Sequence, residues 1–305
     1  MRIVVNGQQA FGKACLEAIL DRGSDEVVAV YTAPDREGRA VDPIKEAALE
    51  RGIPVVQPPN YTDRAVLDEL RALEADLMIM AYMIVFVPEA ARDIPTHGSI
   101  CFHPSLLPLH RGPSSINWPI IWGAAKTGLS IFWPDDGLDE GDILLQKEVE
   151  IGPDDTLGVV YFQRIFPLGV EAVLEAVELI RGGNPPHLKQ DHSKATYESW
   201  CRAKDAEVDW WRSAPEVFNL IRGTDPAPGA WTTHDGKNLG LFDAARVEAY
   251  GRPGEVVEIS EAGLTVVAGR GGVRLGRLRY DGGKKAAAAE VAAAAGIEKG
   301  TRLGQ

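Results

Sequence analysis

The stretch SICFHPSLLPLHRG, Ser99–Gly112, combines a thiol and an imidazole at the end of an apolar, strand-like run. Alternate residues of a β-strand share a face, so Cys101 and His103 are expected to point the same way. Prolines and a glycine follow His103 and predict an ordered, non-helical loop. A histidine at a strand end can serve in acid–base chemistry, but a lone histidine is more often structural, so a second group is needed.

A second stretch with potential chemistry is WPDDGLDEGD, Trp133–Asp142, between two further strand-like segments. A carboxylate at this apolar edge could act as a general base, whereas the alternative is a solvated acidic turn. The carboxylate spacing does not fit an EF-hand, and His97, His103 and His110 are poorly spaced for a metal site, so we expect no metal. The carboxylates of the turn are those of Asp135, Asp136, Asp139, Glu140 and Asp142.

The elements that must position these groups alternate between strand-like and helix-like patterns over the first 150 residues. This alternation predicts an α/β fold with a mostly parallel sheet and helices on both faces. Ligands of such sheets bind outside the carboxyl ends of the strands. The turn NGQQAFG after the first strand has Gly7 and Gly12 but lacks G-x-G-x-x-G, so we expect no bound NAD.

The rest of the chain changes character after a long amphipathic helix predicted from about Thr156 to Arg181. The breaker cluster GGNPP ends that helix, and a polar, irregular stretch follows. Short strands separated by glycines then predict a small OB-like β-barrel, with KKAAAAEVAAAAG as a helical excursion. We therefore predict a catalytic domain over 1–183, a linker over 184–205 and a barrel domain over 206–305.

Composition and charge narrow the class of protein. The chain has 305 residues, 45% of them hydrophobic, and its three cysteines form no CxxC pair, which favours a reducing, cytoplasmic setting. We expect no signal peptide and no membrane association, because the chain enters a strand at once and no run approaches the ~20 apolar residues of a span. Residues 1–200 carry 17 Lys/Arg against 30 Asp/Glu, which argues against a nucleic-acid partner.

The motifs HPSLLPLHRG and GLDEGDILLQ together resemble the folate-dependent formyltransferase family. AYMIVFVP is similar to the folate-pocket strand and loop of that family, and GRPGEVVEI through KGTRLG is similar to its C-terminal barrel. The resemblance implies a Rossmann-like catalytic domain and 10-formyltetrahydrofolate as the formyl donor. It also implies folate contacts from Val85, Phe86 and Val87, and from the turn residues Asp135, Asp136 and Gly137.

The catalytic pattern of the family is Asn-x-His followed by an Asp in the GLD turn. His103 and Asp139 match the last two positions, but Cys101 stands where the family has Asn. The flanking motifs look more similar to the hydrolase domain of 10-formyltetrahydrofolate dehydrogenase, which also lacks that Asn, than to methionyl-tRNA formyltransferase. Cys101 is then either a tolerated filler, which we favour, or a nucleophile activated by His103.

The resemblance implies an enzyme that hydrolyses 10-formyltetrahydrofolate to tetrahydrofolate and formate. Formyl transfer to a small amine, such as an amino sugar, remains an alternative. Transfer to methionyl-tRNA is disfavoured, because PDREGRAVDP stands where the tRNA enzyme has a long basic insertion, and it carries three acids and two arginines. A non-catalytic folate-binding protein is the remaining alternative, and the retention of both His103 and Asp139 argues against it.

Overall fold

The structure, a computed structural model, describes residues 1–83 and 85–304. Its first sheet has seven strands in the order β3-β2-β1-β4-β5-β6-β7. The pairs among β1 to β5 are parallel, and β6 runs antiparallel to β5. The strands are β1 Arg2–Gly7, β2 Glu26–Tyr31, β3 Val55–Val56, β4 Leu77–Ala81, β5 Ser99–His103, β6 Lys126–Phe132 and β7 Ile143–Glu150.

The helices that precede the second sheet in the sequence alternate with these strands through the fifth strand, as the βα pattern predicts. The second and third begin at aspartates whose side chains accept a backbone N–H of the first turn, which satisfies a donor that the helix leaves free. These helices are α1 Gln9–Arg22, α2 Pro43–Glu50, α3 Arg64–Ala72, α4 Glu89–Arg92, α5 Asn117–Ile121, α6 Leu157–Val160 and α7 Phe166–Arg181.

The second sheet is antiparallel and has the order β10-β11-β12-β9-β8, with β13 paired to β12. Its apolar side chains form a separate hydrophobic core together with two helices, α8 Ala214–Thr224 and α9 Ala288–Ala295. The strands are β8 Trp231–His234, β9 Lys237–Val247, β10 Val256–Ser260, β11 Gly263–Val267, β12 Gly272–Tyr280 and β13 Ala286–Ala287.

The chain divides into two compact units that are not contiguous in sequence. The first comprises 1–111, 128–149 and 164–197, and the second comprises 112–127, 150–163 and the chain from 198 onward. The predicted α/β class with a separate C-terminal β sheet is confirmed. The domain limits at 183 and 206 remain a prediction.

The long helix predicted over Thr156–Arg181 is wrong in one respect. A five-residue π-helical turn, Tyr161–Ile165, separates α6 from α7, so the backbone hydrogen bonds change register in the middle of the predicted element. The run Leu157–Arg181 is also long and apolar enough to cross a membrane, contrary to the expectation from the sequence. One such helix is weak evidence, because the core helix of a globular protein meets the same test.

The strand that carries His103 is supported by aromatic packing. The Phe102 ring stacks on the Phe11 ring of α1 with centroids 4.2 Å apart, and Phe166 of α7 meets Phe11 edge to face. Gly169 of α7 leaves room for both rings, since a Cβ there would lie 2.7 Å from Phe102 and 3.0 Å from Phe11. The close packing of α1, α7 and β5 therefore requires glycine at position 169.

We expect Gly169→Ala to lower the free energy of unfolding by about 1–3 kcal/mol, because the added methyl overpacks two buried rings. Gly182→Ala, just after the same helix, is the matched control. A Cβ there would make only ordinary contacts, 3.4 Å from the Leu179 carbonyl oxygen, so stability should be unchanged or up to about 1 kcal/mol higher. Urea unfolding measures both, and equal stability of the two variants would contradict the packing argument.

Candidate active site

The candidate site lies at the carboxyl end of β5, between two neighbouring strands. Cys101 is opposite Met80 of β4 and Phe132 of β6, and His103 is opposite Ser130 of β6. Alternation along β5 puts Cys101 and His103 on the same face, as the sequence predicts. His103 is 7% exposed, so its ring depends on protein groups for its hydrogen bonds.

Each ring nitrogen of His103 faces a different partner. Nε2 lies 2.8 Å from the carbonyl oxygen of His110. A carbonyl can only accept, so Nε2 carries a hydrogen and donates it. Nδ1 lies 3.5 Å from Oδ2 of Asp139. The structure thus brings together the two residues that the resemblance implies to be catalytic, with Nδ1 as the position where a proton can be exchanged with the carboxylate.

Asp139 is held in a strained backbone conformation. Its φ is +56°, in the left-handed region that non-glycine residues seldom adopt. The acidic turn is closed by a hydrogen bond of 2.8 Å from the Trp133 N–H to the Asp142 carbonyl oxygen. Gly141 is required inside it, because a Cβ at that position would lie 1.8 Å from the Trp133 carbonyl oxygen. Such strain persists only where the surroundings over-determine the conformation.

Two other carboxylates of the turn have structural partners. Asp136 accepts a hydrogen bond of 2.7 Å from the buried guanidinium of Arg92 in α4, which ties the turn to the segment before β5. Asp135 accepts from the backbone N–H of Gly137 at 2.9 Å. These three turn residues were predicted to contact folate. They lie in the same turn as Asp139. Their contact with folate remains a prediction.

The apolar residues predicted to contact folate follow β4. Val87 is buried in a cluster that contains Met80, and both Val85 and Cys101 pack against the same cluster. Phe86 is 65% exposed. Ile84, within the AYMIVFVP motif, lies outside the described residues. The structure therefore places Val85 and Val87 on the apolar cluster that also supports Cys101, and leaves the Phe86 ring available at the surface.

Cys101 lies between two apolar clusters. The second of these consists of Leu107, Phe132 and Ile143, and the Cys101 thiol is 3.7 Å from the carbonyl oxygen of Phe102. Burial, together with the nearby charge of Asp139, raises the pKa of the Cys101 thiol well above its usual range. The thiol is the poorly nucleophilic form of cysteine, so this environment favours a filler over an activated nucleophile.

Residues that sequence reasoning missed complete the site. Gln190, in the stretch predicted as a linker, donates hydrogen bonds to the carbonyl oxygens of Asp139 and Gly141. Arg111, inside the HPSLLPLHRG motif, is fully buried and contacts Gln190. No motif marks Gln190, and only its place a few residues after GGNPP could have been read from the sequence. Among residues 1–83 and 85–304, no group of three or more His, Cys, Asp or Glu could hold a metal ion.

Comparison with known proteins identifies the family. The sequence pattern described as "Formyl transferase" matches residues 1–177, and "Formyl transferase, C-terminal domain" matches residues 201–296. The chain belongs to the formyl transferase family. It is 37% identical to methionyl-tRNA formyltransferase from Geobacter sulfurreducens over 310 residues, which cover 100% of this chain and 97% of that protein. The resemblance seen in the sequence is thereby confirmed.

A second kind of relative is much longer than this chain. Cytosolic 10-formyltetrahydrofolate dehydrogenase from Xenopus laevis is 42% identical over 250 residues, which cover 80% of this chain but only 28% of that protein. The chain thus spans about three tenths of the length of this relative. The two relatives have different names for their activities, so their identities of 42% and 37% to this chain do not show which molecule accepts the formyl group.

Solved structures extend the likeness at the level of the fold. HypX from Aquifex aeolicus, in complex with tetrahydrofolic acid, aligns over 96% of this chain and 47% of its own, with a TM-score of 0.68 and 21% identity. An N-formyltransferase from Helicobacter canadensis, in complex with folinic acid and dTDP-3-aminofucose, aligns over 90% of this chain and 98% of its own, with a TM-score of 0.67 and 16% identity.

We expect Cys101 to react slowly with iodoacetamide at pH 7.5, because its raised pKa keeps the thiol protonated. The labelling rate should rise about tenfold per pH unit up to pH 9.5, whereas a thiol with a pKa of about 8.5 would level off near pH 9. Cys201, whose pKa burial raises to about 11, should show the same rise over this range, and free cysteine is the reference that levels off. Peptide mass spectrometry resolves the two sites, and rapid labelling of Cys101 near neutral pH would contradict the assignment.

Proposed function

We propose that the protein acts on 10-formyltetrahydrofolate and releases tetrahydrofolate, with water as the preferred acceptor and formate as the other product. The observation that carries this proposal is the pairing of His103 Nδ1 with Asp139 Oδ2 at 3.5 Å, beside a thiol in place of the family's Asn. Membership of the formyl transferase family supports the donor. The relation to 10-formyltetrahydrofolate dehydrogenase, at 42% identity over 250 residues, supports hydrolysis.

In the proposed reaction water attacks the formyl carbon, and its oxygen forms the new C–O bond. Asp139 accepts the proton of the water and passes it to His103 Nδ1, and the Nδ1–H formed in this way stabilises the oxyanion of the tetrahedral intermediate. The intermediate collapses by breaking the bond from carbon to N10 of the folate. The proton returns through the His103–Asp139 pair to N10, so tetrahydrofolate and formic acid leave, and the acid releases its hydroxyl proton to the solvent to give formate.

Because Cys101 stands where the family has Asn, the site lacks an amide hydrogen-bond donor for the oxyanion. A thiol is a much weaker donor than an amide, and the loss of one oxyanion donor lowers the rate by about 10²–10³-fold in known cases. We infer that the intermediate is stabilised mainly by His103. The protonated, partly buried Cys101 thiol supports a role in packing, since it contacts two apolar clusters.

We also propose that folate binds over the residues that follow β4. Val85 and Val87 supply apolar surface next to Cys101, and the exposed Phe86 ring supplies an aromatic face. The backbone of the turn 135–137 is the second wall in this proposal. A folate complex with the pterin elsewhere would contradict it.

Formyl transfer to an amine, including methionyl-tRNA, is the second candidate, because the tRNA enzyme of Geobacter sulfurreducens is similar over the whole chain. The acidic balance of residues 1–200 opposes it, since few tRNA phosphates could be neutralised there. An amino sugar carries no such electrostatic requirement. An assay with and without candidate amines separates an amine acceptor from water.

The decisive assay measures formate and tetrahydrofolate released from 10-formyltetrahydrofolate, without an acceptor and with candidate amines. We expect release without an acceptor, and we expect His103→Ala and Asp139→Asn to lower kcat by at least about 10²–10⁴-fold, because each removes a proton-transfer group. Circular dichroism checks that both variants remain folded. Near-normal turnover in either folded variant would remove the pair from the mechanism, and release only with an amine would replace hydrolysis by transfer.

Substitution of Cys101 separates the filler from the nucleophile. Cys101→Ala should keep kcat within about tenfold of wild type, because the thiol contributes only a weak donor. Cys101→Asn should restore an amide donor toward the oxyanion and raise transfer to an amine acceptor. A Cys101→Ala protein that binds folate but has lost several orders of magnitude in kcat would instead indicate a formyl-thioester intermediate.

Binding to initiator tRNA should be weak and should disappear by ~150 mM salt, because the first 200 residues are acidic. Fluorescence anisotropy with labelled tRNA over a salt series measures this, with an unrelated tRNA as the control for non-specific binding. Submicromolar, initiator-selective binding at physiological salt would reverse the order of the two candidate functions.

A further inference from the structure

One short segment, Gln190–Tyr197, contacts the surroundings of both candidate catalytic residues. It follows α7 within the stretch that the sequence predicts as a linker, and it contains one turn of 3₁₀-helix. We call it the clamp segment. At its start it reaches the acidic turn that carries Asp139, and at its end it reaches the loop that follows His103.

The start of the clamp segment holds the acidic turn through Gln190. The two hydrogens of its Nε2 are directed to the carbonyl oxygens of Asp139, at 2.9 Å, and Gly141, at 2.7 Å. Gln190 is only 6% exposed, so these bonds are shielded from water. They hold the backbone immediately after the strained φ of Asp139 and therefore limit where its carboxylate can lie relative to His103.

The end of the clamp segment holds the loop that orients the imidazole. Thr196 accepts the His110 N–H on its Oγ1 at 2.8 Å and the Arg111 N–H on its carbonyl oxygen at 2.9 Å. Its own N–H donates to the Pro108 carbonyl oxygen at 3.2 Å. The carbonyl of His110 is the acceptor for His103 Nε2. A shift of Thr196 would therefore move His110 and, with it, the hydrogen-bond acceptor of the His103 ring.

The Arg111 guanidinium joins the two ends of the clamp segment. It donates to Gln190 Oε1 at 2.7 Å and to the Tyr197 hydroxyl at 2.5 Å, and it lies 3.6 Å from the Glu140 carboxylate. Arg111 has no exposed side-chain surface. A buried charge is an inefficient source of stability compared with an apolar side chain of similar size, whereas it fixes several partners in one geometry.

We propose that Gln190 and Thr196 are positioning residues: Gln190 sets Asp139 and Thr196 sets His103, with Arg111 keeping the two in register. This inference rests on the proposed function of the His103–Asp139 pair. The alternative is a purely structural role, in which the clamp segment would stabilise the fold without affecting the relative position of the pair.

Gln190→Glu is the most selective substitution, because a carboxylate keeps the acceptor for Arg111 but cannot donate to the two carbonyls. Thr196→Val removes only the hydroxyl acceptor of the His110 N–H. Gln57→Met is the matched control, since Gln57 also accepts from a cation, Lys45, and donates to a loop carbonyl, that of Ala33, next to β3. All three are made in the full chain, and thermal unfolding is recorded for each.

The expected result is a fall in kcat of about 10–100-fold in Gln190→Glu and Thr196→Val, with KM for 10-formyltetrahydrofolate within about threefold of wild type. Gln57→Met should change neither constant by more than about twofold. Wild-type kcat in the folded clamp variants would overturn the proposal. A loss of activity that merely follows unfolding, and is recovered at lower temperature, would overturn it as well.

A second readout does not depend on turnover. The ring ¹⁵N signals of His103, assigned by comparison with His103→Ala, report the hydrogen bonds at Nδ1 and Nε2. They should shift in both clamp variants and stay unchanged in Gln57→Met, and unshifted signals would overturn the proposal even if the wild type were inactive. An inactive wild-type protein with clamp-dependent signals would instead reject the proposed function and leave the positioning role supported.

Discussion

The structure of the site depends on bringing the Asp139 carboxylate back to the His103 ring. In the antiparallel pair β5–β6, Ser130 is opposite His103, and Phe132 at the end of β6 is opposite Cys101. The chain leaves β6 while moving away from the histidine, so the acidic turn has to reach back along β5. A turn with several like charges needs other contacts to stay in this position, because the charges repel one another.

Several local devices hold the turn on that course, and each is chemically distinct. Arg92 neutralises one carboxylate, Gly141 permits a close approach to the Trp133 carbonyl, and Gln190 binds two backbone carbonyls of the turn. The strained backbone of Asp139 is consistent with this over-determination. The same reasoning explains why the imidazole has a fixed backbone acceptor at Nε2, since a freely rotating ring would lose its relation to the carboxylate.

Much of the fold, and the common face of Cys101 and His103, could be predicted from the sequence, because they depend on local patterns of residues. The βα alternation is visible in hydrophobic periodicity, and the placing of Cys101 and His103 on one face follows from the two-residue repeat of a strand. The partner of His103 came from resemblance, because thirty-five residues separate it from Asp139 and no local rule joins them. The contacts of the clamp segment with the site could not be predicted from the sequence. Polar residues after a breaker cluster indicate a linker, and only the tertiary contacts show that Gln190 is buried. The π-helical turn before α7 was missed for a related reason, since its residues continue the apolar pattern of the helix.

We propose that the formyl group of 10-formyltetrahydrofolate is passed to water at the His103–Asp139 pair. Single-turnover reaction of excess purified protein with 10-formyltetrahydrofolate in H₂¹⁸O, followed by mass spectrometry of the formate, tests it most directly. We expect one formate for each tetrahydrofolate formed, with one oxygen of the formate taken from the labelled water. Unreacted 10-formyltetrahydrofolate, or tetrahydrofolate formed without labelled formate, would contradict it.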